Sequence, residues 1–183
     1  SFECVAKWGD LTWPTPFGRA PSAAERRVEQ LDARTGASLK LVILNPAGTV
    51  WTMVAGGGAS VIYTDTIADL GFAGQLANYG EYSGNPSTAD TYAYACEVLG
   101  MMTATRAPAG QTKHLLIGGG IANFTDVAET FAGIIQALHE FAGRLRETPV
   151  SIYVRRGGPN YQEGLRQIEE ACHAIGVPVR VFG

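Results

Sequence analysis

His114-Leu115-Leu116-Ile117-Gly118-Gly119-Gly120-Ile121-Ala122-Asn123-Phe124-Thr125-Asp126 decides the fold. A short strand, His114–Ile117, runs into three glycines, and a helical period opens directly after them. Phe124, Val127, Ala128, Phe131, Ile134, Ile135, Leu138, Phe141 and Leu145 recur at three- and four-residue steps, which predicts a helix packed by one face. A strand that turns through glycine into a helix is the unit from which parallel sheets are built.

The same pattern extends in both directions. Downstream, Val150–Val154 predicts a strand, Gly157-Gly158-Pro159 a turn, Tyr161–Ile175 a helix and Pro178–Phe182 a last strand. Upstream, Leu39–Leu44 and Val50–Val54 have the β-branched, apolar character of strands, and Gly56-Gly57-Gly58 precedes a helix over Ala59–Leu70. Gln75–Gly84 reads as a strand or turn, and Thr88–Thr103 as a helix with Tyr92, Ala95, Cys96 and Leu99 on one face. Strands alternating with helices through short links predict an α/β domain, a parallel sheet flanked by helices. Residues 1–37 stand apart. Phe2–Trp8 has strand character, Trp13-Pro14-Thr15-Pro16 excludes regular structure, and Ala23–Asp32 forms a polar helix behind the cap Ser22. We expect this stretch to be a connector from an upstream domain, with the main domain over residues 38–183. A start at Ser1 and a stop at Gly183 directly after an apolar strand fit a piece of a longer polypeptide.

Composition narrows the function. Apolar residues make up 46% and charged residues 17%, ordinary for a globular domain. A net charge of -3 gives no global basic field for nucleic acid or an anionic membrane, and no apolar run is long enough to span a bilayer. Cys4, Cys96 and Cys172 are dispersed and form no C-x-x-C, as expected of reduced thiols in a cytoplasmic protein. An anionic ligand therefore needs a local positive site.

Glycine supplies 23 of the 183 residues, and three clusters follow strands: Gly56–Gly58, Gly118–Gly120 and Gly157–Gly158. Helix N-termini at the carboxyl ends of parallel strands offer unpaired N–H groups to anions. Neither G-x-x-x-x-G-K-[ST] nor G-x-G-x-x-G occurs, so ATP or NAD is not expected within this chain. Asn123 or Thr125 is placed either to cap the helix that follows or to hydrogen-bond a carboxylate at its start. Arg155 and Arg156 close a strand, where adjacent side chains point to opposite faces, so one of them reaches the crevice as a carboxylate clamp. His114, His139 and His173 lie away from the glycine turns, and no Ser-His-Asp, Cys-His or metal-ligand spacing is present. Asp65, Asp69 and Glu81 are acidic candidates near the first glycine turn, with helix-surface roles an equal explanation.

Six strings carry a family resemblance. They are Ala37-Ser38-Leu39-Lys40-Leu41, Leu44-Asn45-Pro46, Trp51-Thr52-Met53-Val54-Ala55-Gly56-Gly57-Gly58-Ala59-Ser60, Asn78-Tyr79-Gly80-Glu81-Tyr82-Ser83-Gly84, Ile117-Gly118-Gly119-Gly120-Ile121-Ala122-Asn123-Phe124-Thr125 and Val154-Arg155-Arg156-Gly157-Gly158-Pro159-Asn160-Tyr161-Gln162. Together they resemble the ATP-citrate lyases over essentially the whole chain, with the β subunits of succinyl-CoA synthetases as wider relatives. The resemblance implies a three-layer, flavodoxin-like, citrate-binding domain that follows an ATP-grasp domain. It implies that ATP phosphorylates a histidine elsewhere, that citryl phosphate then reacts with CoA, and that a separate lyase part splits citryl-CoA to acetyl-CoA and oxaloacetate. ATP, Mg2+ and CoA thus belong to the full enzyme, and this fragment is expected to bind citrate without turning it over. Partners implied are the ATP-grasp domain and the phosphohistidine and lyase part.

By the same resemblance, citrate is held by Gly119, Gly120, Asn123, Phe124 and Thr125 of the loop, by Arg156 as the clamp and by Gly84 on the facing loop. A tyrosine of the family is Phe141 here, which removes a hydroxyl, and Gly120 stands where some members carry serine. A synthetase domain for another acid such as succinate, or a docking module whose glycine turns only contact a partner subunit, are the alternatives.

Overall fold

The computed structural model describes residues 18–108 and 110–183. The strand expected at Phe2–Trp8, the Trp13–Pro16 break and Cys4 lie outside them. In chain order the elements are α1 (Ala23–Asp32), β1 (Ser38–Ile43), β2 (Val50–Ala55), α2 (Gly57–Ile67), β3 (Asn78–Ser83) and α3 (Thr88–Met102). Then follow β4 (Lys113–Gly119), α4 (Val127–Glu140), α5 (Ala142–Glu147), β5 (Val150–Arg155), α6 (Tyr161–Ala174) and β6 (Val179–Phe182).

The strands form one sheet in the order β1-β3-β2-β4-β5-β6. Five run parallel, but β1 runs antiparallel to β3, from Ser38 opposite Ser83 to Ile43 opposite Asn78. The parallel sheet expected from the sequence is present over β2–β6, and β1 adds an antiparallel strand at one edge. Apolar strand character carries no direction, and no helix lies between β1 and β2 to supply a parallel crossover. β2 is central, and Trp51, Thr52, Met53 and Val54 are all fully buried, which explains its unbroken apolar run.

Crossover handedness sets the layers. From β2 the chain moves to β3 on one side, then crosses back over β2 to β4 and continues outward to β5 and β6. Right-handed connections put α2 on one face and α3, α4 and α6 on the other. α3 packs on α4 and α4 on α6, with Val98, Leu99, Phe131, Ile134, Ile168 and Cys172 buried beneath them. The long helix expected to reach Leu145 breaks at Phe141, which ends α4 and precedes α5. On the other face α2 buries only Ser60 and Ile67 and leaves Val61 and Ile62 exposed. Reversal of crossover direction at β2 opens a crevice at its carboxyl end, where ligands sit in open α/β sheets.

α1 belongs to the packed body, with Ala24 and Val28 in the core. Its acidic side chains also serve the edge strand. Asp32 accepts from the Leu39 N–H at 2.7 Å and Glu25 from the Ile43 N–H at 2.8 Å. This occupies outward donors of β1 that would otherwise be open to another strand. Glu25 further completes the capping box with Ser22 and pairs with Arg19 at 2.7 Å. Burial alone would raise its carboxyl, yet the hydrogen bonds from Arg19, Ser22 and Ile43 outweigh it and hold the group at about 2. Because the folded value is depressed, the stabilisation is complete above the ordinary carboxyl range near 4.3 and is lost as pH falls toward 2. Glu25→Gln is expected to cost roughly 1–3 kcal/mol at pH 7 and to flatten the acid limb of stability between about pH 5 and 2. Thermal melts of both proteins across that window check this, and parallel acid limbs would contradict it.

Candidate functional site

The carboxyl ends of β2, β3, β4 and β5 enclose a crevice of about 290 Å³. β2 contributes Ala55 and the turn Gly56, with Ala59 above it; β3 contributes Tyr82 and the loop Ser83–Pro86. The loop after β4 supplies Gly120–Thr125, Thr130 of α4 closes one side, and Arg156 comes from just beyond β5. Of the residues expected from the sequence, the fold brings together Gly84, Gly120, Asn123, Phe124, Thr125 and Arg156. Gly119 lies at the junction with a second hollow on the β5 side, which Arg155, Arg156, Gly157 and Gly158 border. Phe141 is not brought in. It sits at the far end of α4, one helix length or about 20 Å from the loop, against Gly100 and under the Arg144 guanidinium.

The three glycine clusters have different tasks. Gly56 (φ 96°) turns the chain off β2, and Gly57 lies so close to the buried Glu81 carboxylate that a β-carbon would stand 2.6 Å from it. Glu81 is occupied by the Tyr79 hydroxyl at 2.6 Å and by Lys40 at 3.8 Å, while Asp65 and Asp69 are exposed. Gly157 and Gly158 act as a buttress: Ile121 bridges to Gly157, the Ala122 N–H donates to the Gly157 carbonyl at 2.9 Å, and Gly158 (φ 130°) abuts Ala122. Gly56 of the first cluster and Gly120 of the second border the crevice, and the loop after the second is supported from behind by the third.

The start of α4 differs from expectation. Its N-cap is Asp126, which accepts from the Glu129 N–H at 3.0 Å, and neither Asn123 nor Thr125 is the cap. A carboxylate already occupies that helix end, so an anion in the crevice meets the preceding loop instead of the α4 dipole. Within the described residues, the main-chain N–H groups of Asn123, Phe124 and Thr125 make no hydrogen bond. Asn123 and Phe124 are exposed and Thr125 half-buried, so none of these side chains is consumed by the core.

Arg155 and Arg156 separate as the strand geometry requires. Arg155 is exposed, whereas Arg156 is 7% exposed and donates through Nη1 to the Gly120 carbonyl. Its Nε is buried without a partner. Gly119 creates the seat for this side chain, since a β-carbon there would lie 2.5 Å from Nη1 and 3.0 Å from both Ala55 Cβ and O. Gly119→Ala is therefore expected to displace Arg156 and lower anion affinity about tenfold or more; a titration showing native affinity would contradict it. Gly120 has open space where a β-carbon would go, so serine fits that position.

Sequence reasoning missed Tyr82, which borders the crevice with a buried hydroxyl that has no hydrogen-bond partner. His114 is half-buried beside Tyr153, and His139 and His173 are exposed; none borders the crevice. Among the described residues no group of His, Cys, Asp or Glu could hold a metal ion, and no helix is long and apolar enough to cross a membrane.

Comparison with known proteins gives the arrangement a family. Residues 19–183 match the family described as ATP citrate lyase citrate-binding. The chain is 57% identical to the mouse ATP-citrate synthase, covering all of this chain and 16% of that protein. It is 54% identical to ATP-citrate synthase alpha chain protein 3 of Arabidopsis thaliana, covering all of this chain and 43% of the relative. Among solved structures, the ATP citrate lyase of Methanothrix soehngenii in complex with citrate and coenzyme A superposes with a TM-score of 0.91 at 56% identity. That match covers 98% of this chain and 46% of the other. The chain thus spans less than half the length of these relatives, and it belongs to the ATP citrate lyase citrate-binding family.

Proposed function

We propose that this chain is the part of an ATP-citrate lyase that holds citrate at the crevice between β2 and β4. One observation carries the reading: Arg156 is the sole charged residue bordering the crevice among the described residues, and no acidic side chain joins it. In a chain of net charge -3, that is a local positive site. Citrate is acceptor-rich and close to trianionic near neutral pH. A guanidinium, the unpaired N–H groups of residues 123–125 and the Asn123 and Thr125 side chains meet those charges with donors. The Methanothrix soehngenii structure, in complex with citrate and coenzyme A, supports this assignment at 56% identity.

In this reading Gly84, Gly119, Gly120, Asn123, Phe124, Thr125 and Arg156 form the site, and Phe141 lies outside it. ATP and Mg2+ act at an ATP-grasp domain that residues 1–37 connect to this one. A phosphohistidine and CoA act in the part of the enzyme that also splits citryl-CoA to acetyl-CoA and oxaloacetate, in the cytoplasm. The apolar surface of Val61, Ile62, Leu70 and Phe72, each at least 46% exposed, is then a contact surface for those other parts. Donors aimed at the bound acid would also stabilise the charge that develops on phosphoryl transfer.

Calorimetric titration of the chain with citrate and succinate tests the reading. We expect citrate to bind and succinate to bind more weakly. Equal affinity would favour a synthetase for another acid, and no binding of either would favour a docking role. Thr125→Val should weaken citrate by about tenfold, as loss of one hydrogen bond to a charged group implies, with an unchanged melting temperature. Because Asp126 and not Thr125 caps α4, a drop in melting temperature without a binding defect would sink the role given to Thr125.

A further inference from the structure

Tyr82 lies near the end of β3 and is 1% exposed, with its ring against Tyr94 at 5.8 Å between centroids. Packing accounts for the ring and not for the oxygen. The hydroxyl is buried, makes no hydrogen bond and belongs to a residue bordering the same crevice as Arg156. Tyr82 Oη and Arg156 Nε are the two buried side-chain polar atoms without a partner among the described residues. Both residues border the same crevice; burial, the larger effect, pushes the phenol up to about 12, while the Arg156 charge opposes that rise.

Buried polar atoms are paired in nearly all native structures, so two orphans on residues that border one crevice mark a partner that arrives from outside. The chemistry of that partner is constrained. Arg156 Nε–H can only donate, and a phenol at neutral pH keeps its proton to donate. The group that satisfies both must be an acceptor with several lone pairs, and beside a guanidinium it is favoured as an anion. A carboxylate meets both conditions.

The geometry points to Tyr82 as a binding residue that donates its hydroxyl to the ligand carboxylate clamped by Arg156, a role that rests on the citrate reading above. The guanidinium donates through Nη1 to the Gly120 carbonyl, while Nε and the phenol oxygen are buried without a partner among the described residues. An incoming carboxylate replaces the Gly120 carbonyl as the partner of Arg156. Nε–H and the Tyr82 hydroxyl then turn to its oxygens. The site thereby reads carboxylate through one charged and one neutral donor, which favours it over a primary amide, whose single acceptor oxygen is neutral and whose N–H groups cannot accept.

Tyr82→Phe removes the oxygen and leaves the ring against Tyr94, and it breaks no hydrogen bond among the described residues. Native and variant chains are titrated calorimetrically with citrate and with tricarballylate, which has the three carboxylates without the hydroxyl. Expected is a loss of about tenfold or more for both acids at an unchanged melting temperature. Native affinity for citrate in the variant overturns the role of Tyr82 and leaves the citrate reading intact. A loss confined to citrate overturns the carboxylate contact, because the partner would then be the ligand hydroxyl. A melting temperature that falls with the affinity assigns the hydroxyl to packing and overturns the proposal. If the native chain binds neither acid, the citrate reading fails and Tyr82 with it.

Discussion

Replacing Arg156 by alanine is expected to weaken citrate binding by about 2–5 kcal/mol, enough to abolish a measurable titration at moderate ligand concentration. Two features of the site set the size. Arg156 is the only charge bordering the crevice among the described residues, so no second cation compensates for its loss. It is also 7% exposed, so the carboxylate it meets is desolvated and left unpaired when the guanidinium is removed. Stability should change far less. The Arg156 side chain makes one hydrogen bond among the described residues, to the Gly120 carbonyl, and carries an unpaired Nε. Lysine should not rescue the affinity, because a point charge cannot reproduce the planar fork that pairs two oxygens at once. Arg155→Ala is the control: Arg155 is exposed on the other face of the sheet end and its loss should matter little. Equal losses at both positions would show that the clamp is wrongly placed.

What the sequence disclosed about this site follows from the kind of signal each residue leaves. Alternation along a strand is a local rule, so the opposite fates of Arg155 and Arg156 were legible before any coordinates. The strand–glycine–helix pattern likewise fixed where a crevice would open. The division of labour among the glycines was not legible. Gly157 and Gly158 look like a ligand turn in sequence, and only the bridge from Ile121 to Gly157 shows them supporting the neighbouring loop. Nothing in the sequence singles out Asp126 as the cap, because Asn123 and Thr125 are equally good cap residues by type and helix starts vary by a few residues. Tyr82 was hidden for a different reason. β3 is buried at four of its six positions with no clean alternation, so nothing in Asn78–Ser83 separates a core tyrosine from one whose oxygen borders the crevice. Phe141 entered through resemblance alone, and the length of α4 removes it from the loop.

Gly133→Ala should destabilise the domain more than Gly119→Ala or Gly143→Ala. Glycine inside a helix costs about 1 kcal/mol relative to alanine, so on propensity alone the change should stabilise α4. Contact with α3 reverses the sign. A β-carbon at Gly133 would overlap Thr91 Oγ1 and the Thr88 carbonyl oxygen, and would stand 2.7 Å from the Tyr92 nitrogen. Two of these three atoms are backbone, so no rotamer change makes room and the helices must separate. Ala128 of the same helix sits 3.2 Å from where a β-carbon of Gly164 in α6 would lie, which hinders α4 from sliding the other way. Overpacking of this kind costs roughly 3 kcal/mol, or about 6–12 °C in melting temperature for a chain of this size. Gly143→Ala provides the contrast, since Gly143 lies within α5 with nothing inside 4 Å of its would-be β-carbon. There the propensity term should act alone and raise stability by a few tenths to about 1 kcal/mol. Citrate binding should fall with Gly133→Ala as well, because Thr130 lies one turn earlier on α4 and borders the crevice. Melting curves of the two variants moving in the same direction would refute the close approach of α3 and α4 at Gly133.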